Sequence, residues 1–266
     1  MEKELAKDTI RGILAALRIL LNNAIGKKVI TDNPARDVGQ LFRQAPIRHE
    51  EIEPLTEGES LLFLGATLEY EPEFYPPFLC ALHTGLRSGE LQGLQWSDVD
   101  WNSKYIQVSR QVVRGKVTKL KNKHSRRKVD CSDDLLSTLA ALKKTRQEEA
   151  LRKGVNAIPE WMFTNDKGAR IDIVNVKTRF FKRVLRKAGL RDIRFHDLRH
   201  TFASLLLARG TPVTYVSRQL GHKNSHLTLK TYAHWVPHES QREAVNRLPS
   251  LTQSSTGLET SQEVAR

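Results

Sequence analysis

Cysteine is nearly missing from this chain: Cys80 and Cys131 are the only two in 266 residues, and they form no CxxC pair. That scarcity argues against a disulfide-stapled scaffold or a thiolate zinc site, and it suits a reducing compartment. Long hydrophobic runs are missing too, with none near the roughly 18 residues that a membrane-spanning helix needs. The charged opening MEKELAKDT has no signal-peptide core. Acidic residues are in deficit, 30 Asp plus Glu against 43 Lys plus Arg, for a net charge of +13 and a pI near 9.9. Such an excess speeds encounter with a polyanion, so nucleic acid is the expected partner and no membrane role is expected.

Residues 8–26 set Ile10, Ile13, Leu14, Leu17, Leu20 and Leu21 at helical spacing, with Asp8 or Thr9 as N-cap and Gly26 as stop. The turn at Asn33-Pro34 and the basic tail after it add too little to bury a core, so residues 1–45 read as a helical fragment. Residues 46–54, bounded by Pro46 and Pro54, read as a linker. Residues 55–248 read as one domain. Helices are expected over EGESLLFLGATLE, PPFLCALHTG and SGELQGLQ, and strands over the alternating YIQVSRQVVRGKVTKL. A hairpin turn at 122–125 leads into RRKVDCS, and helices resume with DDLLSTLAALKKTRQEEALRK, VNVKTRFFKRVLRKAG, HDLRHT and PVTYVSRQLG. Residues 249–266 are polar and aperiodic, the composition of a disordered tail. The fold class expected is α+β, mainly α, with a small antiparallel sheet.

The chemistry concentrates in RFHDLRHTFASLLLARG and LGHKNSHLTLKTYAH, where His196, Arg199, His222 and Tyr232 fall within 37 positions. His196 and Arg199 are i and i+3 on one helix, so both can reach one phosphate. His222 follows Gly221 at a helix end, ten residues before Tyr232. Upstream, Arg87 opens a helix beside free amides, a good place for an anion, and Glu90 is spaced to orient it. Taken singly, each has a bland reading: a surface ion pair for Arg87, a capping histidine, a tyrosine packed with its hydroxyl wet. Tyr215 suits that last role and is the second choice of nucleophile.

In the order Arg87, turn lysine, HxxR, Gly-His and Tyr232, the chain resembles the tyrosine recombinase family, most closely its phage and mobile-element integrases, from about residue 55 to 237. The resemblance implies an integrase-like catalytic domain over 55–248. It makes 1–45 the end of a helical core-binding domain, whose last long helix is followed by "NPA". It also implies a lysine beside the leaving oxygen: Lys121 is favoured, with Lys123 as alternative. Lys119, Arg126 and Arg127 are expected to contact DNA. One departure is that Asp130-Cys131 follows Val129, where the family usually has Val-Pro. The implied reaction is attack by Tyr232 on a phosphodiester clamped by Arg87 and Arg199, giving a 3′-phosphotyrosyl intermediate without metal, ATP or cofactor. Tyrosine, with an ordinary pKa of about 10, needs activation, and His196 is the candidate acceptor, with His222 adding a hydrogen bond to the phosphate. Double-stranded DNA, a homotetramer supplying four active sites, an accessory DNA-bending or directionality factor and a bacterial cytoplasmic, nucleoid-associated location follow as expectations.

Three rivals remain. HDLRH differs from a zincin HExxH only at one position, which raises a metal-dependent phosphodiesterase. SLLLARGTPVTYVSRQLG can be drawn as a helix-turn-helix, which raises a noncatalytic DNA-binding regulator. Type IB topoisomerase activity shares the chemistry and differs in lacking exchange of partner strands.

Overall fold

The computed structural model describes residues 7–38, 53–120 and 125–236. The chain divides into two compact units, Met1–Glu51 and Ile52–Arg266. In the first, helix α1 spans Lys7–Gly26. Asp8 and Thr9 lie inside it rather than capping it, and the left-handed residue past its end is Lys28 (φ +57°), not Gly26. The Asn33 turn folds back on the helix: Arg18 donates to the carbonyls of Ala35 and Arg36 at 2.8 and 2.9 Å, and the Asn33 amide donates to Asn22 Oδ1 at 2.6 Å. Ile13, Leu17 and Leu20 stay exposed. The expected linker, apart from Glu53 and Pro54, and the expected tail lie outside the described residues.

The second unit opens with α2 (Glu57–Tyr70), started by a reciprocal capping box between Thr56 and Glu59. Next come α3 (Tyr75–Thr84), α4 (Ser88–Gln92), β1 (Val99–Asp100), β2 (Tyr105–Val108), β3 (Arg110–Val113), β4 (Lys116–Lys119) and β5 (Arg127–Asp130). Helix α5 (Asp133–Arg152) follows. Then α6 (Ile173–Asn175) runs through a π-turn (Val176–Phe181) into α7 (Lys182–Lys187), and α8 (Asp197–Ala208), α9 (Val213–Leu220) and α10 (Ser225–Tyr232) close the unit. This is the mainly helical α+β fold expected.

Among the described residues the strands form two sheets rather than one. Antiparallel β1-β2-β5 pairs Ile106 with Val129, both fully buried, and β3 pairs only with β4. The tight hairpin is therefore at Arg114-Gly115, where both residues have positive φ as a type I′ turn requires. β4 and β5 lie in different sheets, so they do not pair with each other as the hairpin expected at 122–125 would have them do. Residues 121–124 themselves lie outside the described residues.

Two hydrophobic clusters organise the unit. The larger one joins α2, α3, the three-stranded sheet, α5 and α7 around Phe63, Phe78, Phe181 and Phe195, whose ring centroids lie 5.3 to 6.1 Å apart. The smaller one is built from Phe202, Ala203, Leu207, Val216, Leu220 and Tyr232, on α8, α9 and α10. Gly85 sits between them at φ +60°. A Cβ there would lie 2.6 Å from the Phe202 ring, so both the backbone conformation and the close approach demand glycine.

Candidate active site

Gly85 ends α3, and the chain then turns so that Arg87 precedes α4 in extended conformation. Its backbone N–H and its guanidinium both donate to Glu90, at 2.9 and 3.0 Å. Glu90 is fully buried, whereas the Arg87 side chain is 40% exposed and keeps donors free to face outward. The i, i+3 orientation expected for this pair is present.

Glu90 has a second partner that sequence spacing could not show. Arg127, from β5, forks onto both Glu90 oxygens at 3.1 and 3.0 Å and donates through Nε to the Gln219 carbonyl at 2.5 Å. Its side chain is 4% exposed. The expectation of a DNA contact from Arg127 is thus corrected: β5 alternation turns this side chain inward with Val129, while its neighbour Arg126 is exposed and donates to the Leu120 carbonyl. Burial alone would raise the Glu90 pKa, but the hydrogen bonds and charge of Arg127, then those of Arg87, hold it below the usual carboxylate value.

Arg199, on the first turn of α8, is buried and donates to the carbonyls of Gly85 and Leu220, both at 2.6 Å. It thereby ties the end of α3 to the end of α9. No carboxylate among the described residues pairs with it. Burial, then the charges of Arg87 and Arg127, push its pKa down to about 9, which leaves it charged at neutral pH. Two guanidiniums, Arg87 and Arg127, therefore grip one buried carboxylate, and a third, Arg199, lies near enough to feel its charge. The surplus of two positive charges is what an anion would neutralise.

The histidines complete the cluster. His196 occupies the position just before α8 without capping it, and its ring meets His200 edge-on at 5.1 Å. Burial, then the Arg199 charge, lowers its pKa. His222 follows Gly221, whose left-handed backbone (φ +68°) ends α9, and its Nδ1 pairs with Thr228 Oγ1 at 2.8 Å. Burial, then Arg199, Arg87 and Arg127, push His222 down to about 4, so it is neutral at pH 7.

Tyr232 ends α10, almost wholly buried against Trp235. Its hydroxyl pairs with His200 Nδ1 at 2.6 Å, not with His196 as expected. The reason is helical geometry: His200, i+4 from His196, lies one turn deeper along α8, at the level where α10 packs. Burial, then His196, pushes His200 down to about 4, so at neutral pH it is an imidazole able to accept the phenol proton. Burial pushes Tyr232 up to about 12 against the opposing pull of Arg199. His200 is the Tyr232 partner that reading the sequence did not single out. The signal was present in HDLRH, but it pointed to a metal pair. His200 Nδ1 is instead taken by the tyrosine, and among the described residues no group of three His, Cys, Asp or Glu could hold a metal ion.

Arg87, Glu90, His196, Arg199, His222 and Tyr232 are thus gathered in one place. Tyr215 is elsewhere on α9, its hydroxyl donating to Asp130 at 2.7 Å. Lys119 lies on β4, whose residues are all exposed. Lys121 and Lys123 lie outside the described residues. Beside the site a groove of about 670 Å³ is lined by Arg126, Lys128, Arg218 and Lys223, with Asp130 as its only acid. Helices α8 and α9 do form a helix-turn-helix about Gly210, but α9 spends its inner face on Val216 and Leu220 and its carbonyls on Arg127 and Arg199.

Residues 68–239 match the model of the phage integrase family. A XerC-like tyrosine recombinase of Caldanaerobacter subterraneus subsp. tengcongensis is 29% identical over 262 residues, covering 91% of this chain and 66% of that protein. The ICEBs1 integrase of Bacillus subtilis is 27% identical over 257 residues, covering 94% and 68%. The chain thus spans about two thirds of the length of these relatives. Among solved structures, Tn1549 transposon integrase in complex with a circular intermediate DNA superposes with a TM-score of 0.74 at 25% identity, over 92% of this chain and 80% of that one. No described helix is long and apolar enough to cross a membrane.

Proposed function

Because the chain belongs to the phage integrase family, we propose that it is a site-specific DNA recombinase that cuts and rejoins strands through Tyr232. The observation that carries this reading is the gathering of Arg87 and Arg127 on one buried carboxylate with Arg199 close by, its charge felt by a tyrosine hydroxyl held by an imidazole. A phosphodiester repels nucleophiles, and its alkoxide leaves poorly, so a site that breaks one must neutralise charge and manage two protons. Arg87 and Arg199 take the nonbridging oxygens, and their hold strengthens as charge builds in the pentacoordinate transition state. His196 and His222 add N–H donors.

The Tyr232 oxygen attacks phosphorus, its proton passes to His200, and the bond from phosphorus to the 5′ oxygen breaks. The departing oxygen takes a proton from a lysine of the 121–123 segment. The 3′-phosphotyrosyl bond keeps the energy of the broken one, so a 5′-hydroxyl from another strand can attack it, release the tyrosine and rejoin the DNA. No step calls on a metal or on ATP. Double-stranded DNA is the substrate, and exchange between two duplexes takes four such sites, hence a tetramer on DNA. In the resting arrangement the nucleophile is buried, so DNA binding has to draw α10 and Tyr232 toward the phosphate.

The test is covalent capture on a nicked suicide duplex. Tyr232→Phe should abolish the protein–DNA adduct and leave binding within a few fold, while Tyr215→Phe keeps it. An adduct that persists in Tyr232→Phe and vanishes in Tyr215→Phe would overturn the assignment. A strong chelator should leave capture intact; loss restored by zinc would return HDLRH to the metal reading.

A further inference from the structure

Lys177 lies outside every motif considered so far, in the π-turn between α6 and α7. Its Nζ donates to Ser88 Oγ at 2.6 Å and lies 5.7 Å over the Phe195 ring. Ser88 follows Arg87 in the chain and Phe195 precedes His196, so this ammonium sits one residue away from two members of the phosphate cluster. The segment before it is bolted to α4 by Gln92 Nε2, which donates to the Ile171 carbonyl at 2.7 Å. π-Turns occur frequently at functional sites, where the extra residue re-aims a side chain.

The partners of Lys177 are unusual for a half-buried lysine. Lys104 and Lys182 each meet an aspartate, whereas no carboxylate among the described residues pairs with Lys177. It has one neutral hydroxyl and an aromatic face, and burial pushes its pKa down, as expected of a cation whose counter-charge is missing. The charges that weigh most on His196 are those of Arg199 and Asp197, and on Arg199 those of Arg87 and Arg127; Lys177 is not among them. Lys177 therefore stands beside the scissile-phosphate cluster rather than within it.

We propose that Lys177 is a positioning residue that grips the DNA backbone phosphate next to the scissile one, fixing the strand's register over Arg87 and His196. This rests on the recombinase reading for the identity of the scissile phosphate. The Lys177 contact itself is tested without it.

The first measurement is the salt dependence of full-length protein binding to a 30-base-pair duplex of arbitrary sequence. Lys177→Gln should lower the slope of log affinity against log salt by about 0.9, the release of one counterion, and Lys177→Arg should restore it. Melting temperature should be the same in all three proteins. An unchanged slope in Lys177→Gln, or an equal loss with arginine, overturns the contact. The second uses the nicked duplex that wild-type protein captures covalently, with single phosphates replaced by neutral methylphosphonates. One substitution beside the scissile position should slow wild-type capture about tenfold, as loss of one charge-assisted hydrogen bond does, and have no added effect in Lys177→Gln. Additive losses at every position overturn the proposal. If the wild type captures no DNA at all, the recombinase reading fails, while the salt slope still decides whether Lys177 meets a phosphate.

Discussion

The two halves of the site are built to different standards. The half that gathers charge, from the end of α3 through α4 and β5 to the start of α8, is locked by the buried Arg127–Glu90 pair and by backbone carbonyls that fix the Arg127 and Arg199 guanidiniums. It is continuous with the aromatic core. The half that carries Tyr232, the proposed nucleophile, is a satellite of six buried apolar residues on three helices, and α10 leaves Leu227 and Leu229 exposed. Tyr232 is held there by ring packing and one hydrogen bond. A preorganised charge clamp costs no rearrangement when charge develops in the transition state. If Tyr232 acts as proposed and moves to the phosphate, it belongs in the less stable part, from which mobile functional elements are drawn.

The sharpest way to break this contrast is to remove Arg127. Arg127→Ala leaves Glu90 buried with only Arg87 and should cost about 3–5 kcal/mol of unfolding free energy, read from urea denaturation. A cost below about 1 kcal/mol would mean that the clamp is not locked as described. Next, Arg87→Ala and Arg199→Ala should each slow covalent capture by at least about 100-fold, the scale for one preorganised donor. A near wild-type rate would remove that arginine from the chemistry.

Acid should loosen the nucleophile half in particular. His200 and His222 have pKa values near 4 in the folded protein against an ordinary 6.5. Between those values the unfolded chain binds more protons, so stability falls as pH drops from about 6.5 toward 4. The denaturation midpoint should follow, and His200→Gln should flatten part of the slope; an unchanged slope would mean that His200 is not held neutral. The smallest effect expected is that of Tyr232→Phe on stability, about 1 kcal/mol for one hydrogen bond lost while the ring stays packed. A loss as large as that of Arg127→Ala would erase the distinction between the halves.

Much of the site was legible because helical spacing is a local property. HxxR puts His196 and Arg199 on one face whatever surrounds them, and TGLRSGEL announces a glycine stop, an exposed arginine and an acid one turn on. Helix extents were legible for the same reason, as with α2, α5 and α9, where caps and periodicity agree with the fold. Pairing between distant segments was not. Nothing in KVTKLKNKHSRRKVD says that β4 turns back on β3 while β5 crosses to β2, because register depends on which faces the rest of the protein leaves to be buried.

The sequence by itself determined the chemistry available: an excess of cations, two histidines and an arginine on neighbouring turns, a glycine-histidine helix end and a tyrosine ten residues beyond it. Only the tertiary structure decided how that chemistry is deployed. It turned Arg127 from a surface cation into the buried brace of Glu90, gave the Tyr232 hydroxyl to His200 rather than His196, and left Lys177 beside the arginine cluster with no carboxylate partner among the described residues. The physical reason is that burial and charge compensation are set by what packs across an interface, and residues 90, 127 and 219, or 200 and 232, meet only once the whole unit has closed.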